Sequence, residues 1–122
     1  MAAIIRDGSM SMAAGRRAAV RPLDAALVRL QAMAARGVQP SRMAREVELI
    51  VAEWLAAAEA ESAEVRARLD ELCELLAAGV IDAEEQVSYV DPDETAAVKQ
   101  AGITLAALVA TRDAVARARD AL

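Results

Sequence analysis

Ser41 to Gly79 read SRMAREVELIVAEWLAAAEAESAEVRARLDELCELLAAG, and the spacing of the apolar residues within them decides the fold. Met43, Val47, Ile50, Trp54 and Ala58, then Val65, Leu69, Leu72 and Leu76, recur at intervals of three and four. That spacing places side chains on one face of an α-helix. With Glu61 counted as a filled position, the pattern from Val47 repeats every eleven residues. Such a repeat suits a nearly straight or slightly right-handed helix rather than a seven-residue supercoil. Val51, Leu55 and Leu75 widen the stripe, so more than one neighbouring helix is expected. Unbroken, the helix would be about 57 Å long, roughly twice the diameter of a compact chain of this length. Either it breaks near Glu59–Ser62, where the stripe carries a glutamate, or it projects and finds a partner. The partner is the expectation.

The flanks read as further helices. Residues 1–20 hold two glycines and no sustained stripe, the pattern of a weakly ordered basic tail, and 21–122 read as a single helical domain. A first helix is expected from Pro22 to Arg36, with Leu23, Leu27, Leu30 and Ala34 on one face, Gly37 as its stop and Ser41 as the cap of the next. The long helix should end at Gly79, and Asp82 should cap a short helix from Ala83 to about Ser88 seated by Ile81 and Val87. Tyr89 should close the end of the core with its hydroxyl in water. Asp91-Pro92-Asp93-Glu94 has the chemistry of a last helix start. That helix should run to about Ala121 with Val98, Ala101, Leu105, Leu108, Val115 and Leu122 inside, returning antiparallel to the long one. Gly102 marks a bend or a close contact. The fold class is all-α, a small antiparallel bundle on one long helix.

Composition gives this bundle a thin core. Of 122 residues 57% are hydrophobic, but 32 are alanine, and there is no phenylalanine. Alanine is the best helix former and contributes little apolar area. The net charge of −5 conceals three blocks, with +6 over residues 1–45, −13 over 46–98 and +2 over 99–122. Blocks of opposite sign orient packed helices or subunits. Without a run of 18 apolar residues no spanning helix is expected, so no membrane association. A single cysteine, Cys73, excludes an internal disulfide and suits a reducing, cytoplasmic compartment.

Catalytic chemistry finds little to use. The chain has no histidine, which removes the commonest general base, the Ser-His and Cys-His pairs, and the histidine-bearing metal motifs. One cysteine cannot build a thiolate zinc site, and no glycine-rich phosphate loop is present. Asp91, Asp93 and Thr95 imitate the start of a calcium loop, but Ala96 and Gly102 stand where such a loop needs glycine and glutamate. No enzyme, cofactor or metal is expected.

The expected function is a non-enzymatic helical interaction protein: an adaptor, scaffold or small regulatory subunit. It would self-associate, as a homodimer, or bind another protein through Met43, Val47, Ile50, Trp54, Val65, Leu69, Leu72 and Leu76. The alternative is a nucleic-acid-binding regulator with a helix-turn-helix-like basic region, using Arg16, Arg17, Arg21, Arg29, Arg36, Arg42 and Arg45. Glu46, Glu48 and the acidic block that follows oppose phosphate and weigh against it.

Overall fold

The computed structural model describes residues 21–57 and 61–122. Within them lie four helices and no strand: α1 (Pro22–Ala35), α2 (Pro40–Ala56), α3 (Ser62–Tyr89) and α4 (Thr95–Ala121). The expected tail, residues 1–20, lies outside the described residues.

The rod is broken. Helix α2 ends at Ala56, and both Ala57 and Glu61 have extended backbone. The break falls where alanines and a glutamate interrupt the stripe, so little burial is lost by ending the helix there. It lets both halves of the stripe turn toward one interior. Met43, Val47, Ile50 and Trp54 of α2 and Val65, Leu69, Leu72 and Leu76 of α3 are all buried, in one cluster with Leu23, Leu30, Met33 and Ala34 of α1. The chain therefore covers its own stripe, and the projecting helix expected from the sequence is corrected.

Local chemistry sets the ends of α1. Proline at the first position has a suitable φ and no N–H to leave unpaired. At the other end Gly37 has φ +79°, its N–H donates to the Ala34 carbonyl, and the Val38 N–H donates to the Met33 carbonyl. This pair of bonds is a Schellman close, and Val38 packs on the core beyond it. The next helix starts two residues earlier than a Ser41 cap implies. Pro40 is its first residue and Gln39 precedes it with no side-chain cap, so Ser41 is helical rather than a cap.

Two other expected boundaries are corrected. Helix α3 does not stop at Gly79 but runs through it to Tyr89. The reason is tertiary: Val80 is buried four residues after Leu76, and that packing outweighs the roughly 1 kcal/mol that a helical glycine costs. Asp82 is thus mid-helix, and there is no separate short helix. Asp91 caps a turn rather than a helix. Its Oδ1 accepts the Asp93 N–H at 3.0 Å and its carbonyl accepts the Glu94 N–H, after which α4 begins at Thr95.

Helix α4 touches all three others. Against α3 the order of contacts is reversed: Arg119 donates to Asp70 at 3.0 Å, and the Cys73 thiol points at the Arg112 carbonyl. The basic end of α4 therefore meets the acidic α3, as its charge predicts. Its buried face is rotated from the expected one, comprising Ala107, Leu108, Thr111, Ala114 and Val115, while Val98 and Leu122 are partly exposed. Small residues let the crowded helix approach its neighbours closely. Thr111 fits inside because its hydroxyl donates to the Ala107 carbonyl, one turn back, at 2.6 Å.

The glycines give a prediction of opposite signs. A Cβ at Gly102 would meet nothing within 4 Å, so no close contact holds this glycine, and Gly102→Ala should stabilise the chain by about 1 kcal/mol. At Gly37 a Cβ would lie 3.3 Å from Ile103 Cγ2 on a left-handed backbone, and Gly37→Ala should cost about 1 to 2 kcal/mol. Urea unfolding midpoints of the two variants should move in opposite directions.

Candidate interaction surface

The eight residues of the expected partner surface form the interior of a single chain and present no free surface. Trp54 is buried beside Pro22 and Ala26 of α1, with the Arg68 guanidinium 5.0 Å from its ring centre. That geometry is a cation–π contact within one core.

Of the seven arginines of the alternative reading, five fall within the described residues. Arg16 and Arg17 lie outside the described residues. Arg21 pairs with Asp24 at 3.0 Å and reaches Glu71 at 3.5 Å; its hydrogen bond holds the exposed Asp24 carboxyl below the ordinary aspartate range. Arg29 pairs with Glu46 at 3.0 Å. Arg36, Arg42 and Arg45 are left exposed around the α1–α2 turn, and none of them is in an ion pair among the described residues. Arg42 and Arg45 flank a cleft of about 440 Å³ with Met33 and Leu49. Helix α2 runs back beside α1, with Arg29–Glu46 midway and Trp54 beside Pro22.

A different surface emerges at that end of the molecule. The α1–α2 turn covers α4 only as far as Gln100 and Ile103. Gln100 Nε2 donates to the Ala35 carbonyl at 3.2 Å, and Gly37 abuts Ile103. Beyond this line the ends of α3 and α4 continue together for about two turns, or about 12 Å along α3. Leu72, Leu76 and Gly79 are followed on the same helical face by Ala83, Val87 and Val90, at intervals of three and four. Exposure rises along that face as the cover ends, from Leu76 at 0% through a half-buried Ala83 to Val87 at 36%. On α4 the series Ala107, Ile103, Gln100, Ala96 does the same, with Ile103 at 38%. The result is a step, an apolar core face carried past its covering helices.

No protein-family model, no curated protein and no solved structure matches this chain.

On α4 the step carries Gln100 and the exposed Lys99, three and four residues before Ile103; on α3 its polar groups lie at the edges. Residues 82–94 carry Asp82, Glu84, Glu85, Asp91, Asp93 and Glu94 and no basic residue. Asp82, Glu84 and Glu85 fall away from the Ala83–Val87 face at about 100° per residue, and Asp91, Asp93 and Glu94 occupy the tip. Tyr89, expected to close the core, stands beyond it at 81% exposure. Sequence reasoning missed this surface by ending the long helix at Gly79. The signal that could have found it is the unbroken three-and-four spacing across that glycine.

At the opposite end, a cleft of about 660 Å³ lies between the start of α3 and the end of α4. Of its charged groups Arg119 pairs with Asp70 and with Asp120, while Arg66 lines it exposed and in no ion pair among the described residues. Among the described residues no three His, Cys, Asp or Glu side chains converge as metal ligands, and no helix is long and apolar enough to cross a membrane.

Proposed function

We propose that the chain is a non-enzymatic helical interaction protein, an adaptor, scaffold or small regulatory subunit, that docks through the step at the ends of α3 and α4. The observation that supports it is the partly exposed continuation of the core face through Ala83, Val87 and Val90, bordered by Ile103 at the edge of the turn. Two helices held out past their own bundle leave apolar area in water that a partner helix would remove, at about 25 cal/mol per Å². The buried Met43–Leu76 stripe takes no part.

Site-specific photo-crosslinking in cells that make the protein tests this reading. A photoreactive side chain at position 87 should give defined protein adducts, and one at exposed Ala63, at the far end of α3, should not. Gln86→Glu with Val90→Glu should reduce the adducts formed at position 87. Equal yields from both positions would defeat the proposal.

A further inference from the structure

We infer that the occupant of the step is a second copy of this chain, packed end to end about a twofold axis. The inference rests on the docking role of the step and adds the identity of its partner.

Three observations lead there. The overhang and the α1–α2 turn lie at the same end of the molecule, because Gly37 and Ala35 sit against Ile103 and Gln100. A long pair of helices beside a short pair, ending at one side, forms an L. Two such shapes related by a twofold axis fill each other's step. The apolar strips, Ala83, Val87, Val90 and Ile103 from each copy, then face one another, and each tip reaches the partner's α1–α2 turn.

The charges at those meeting points are complementary. The tip presents Asp91, Asp93 and Glu94, all exposed. The turn presents Arg36, Arg42 and Arg45, exposed and in no ion pair among the described residues. Three acids meet three arginines, twice, as an isologous contact requires. The overhang of about 12 Å matches the width of one helix, enough to cross the end of the partner's turn without reaching past it. The acids on the shaft of the overhang, Asp82, Glu84 and Glu85, lie off the apolar strip, so the strips can meet without burying them. Much of the strip is alanine or valine, so the dimer is a weak one, held in register by its charged ends.

Sedimentation equilibrium of the full chain, from micromolar to millimolar concentration, tests this. In low salt the mass should rise from that of one chain to that of two, and molar salt should weaken association roughly tenfold. Two charge-reversal pairs then fix the geometry. Arg42→Glu with Arg45→Glu should give a monomer by setting acids against the acidic tip. Asp93→Arg with Glu94→Arg should give a monomer by setting arginines against the turn. Mixing the two should restore a dimer, because both contacts of the heterodimer are again of opposite sign. All four residues are exposed, and unchanged helical circular dichroism would exclude misfolding as the cause. A wild type that stays monomeric, variants that associate as well as wild type, or a mixture that fails to associate would each overturn the inference. If position 87 crosslinks to another protein while the wild type stays monomeric, the docking role stands and the second copy falls.

Discussion

Trp54→Ala should lower the stability of the isolated chain by about 3 to 5 kcal/mol, a loss that does not change with protein concentration. Trp54 is the largest side chain of the core and is buried between the start of α1 and the first turns of α3. A core in which alanine replaces much of the usual leucine and phenylalanine has few other large groups to spread over the cavity. Total stabilities of small domains are about 5 to 15 kcal/mol, so the variant should be close to unfolding at ambient temperature. Arg68→Ala tests the ring's partner separately and should cost only about 0.5 to 1 kcal/mol, since the guanidinium is partly in water. Urea unfolding followed by circular dichroism at two protein concentrations measures both. An alternative role for Trp54, as an anchor between subunits, requires the opposite pattern. The variant would then keep the stability of the wild-type monomer and lose only its concentration-dependent part.

Helix-forming segments and their inward faces were legible because spacing records them directly. Met43, Val47, Ile50, Trp54, Val65, Leu69, Leu72 and Leu76 share a face by period alone, and all eight are buried. Period does not say what lies opposite that face. The answer came from the break between Ala56 and Ser62, which folds one stripe into two halves of the same core. A stripe that reads as an excess of apolar surface on a straight rod is only sufficient for a folded one. Gly79 misled for a related reason: glycine and the Asp82–Glu85 cluster carry end-of-helix chemistry, yet the burial of Val80 four residues after Leu76 keeps the helix going. In α4, alanine hides the register. Ala107 and Ala114 are buried while Ala106 is exposed, and no property of the residue distinguishes them. The step depends on both points, the length of α3 and the place where α1 ends against α4, and the second is a tertiary fact with no local trace.

Leu72→Ala and Leu75→Ala, three residues apart on α3, should differ by about 2 kcal/mol or more in their effect on stability. Leu72 is 1% exposed and lies among the residues of the core cluster, whereas Leu75 is 36% exposed and lies outside it. Truncating Leu72 removes buried methyl groups and leaves a cavity that neighbouring helices, held by several contacts each, close only in part. The expected cost is about 3 kcal/mol. At Leu75 water already reaches the side chain, so no sealed cavity forms, and the loss should stay below about 1 kcal/mol, offset slightly by alanine's higher helix propensity. Both leucines belong to the stripe by sequence spacing, and only about one-sixth of a turn separates them. Their difference therefore measures how α3 is rotated against α1, α2 and α4, and with it which face of the helix is carried past the α1–α2 turn. Chemical denaturation of the two variants under identical conditions reads it. Equal losses would mean that α3 sits turned toward Leu75; Ala83, Val87 and Val90 would then no longer continue the core face, and the step would not be an apolar surface.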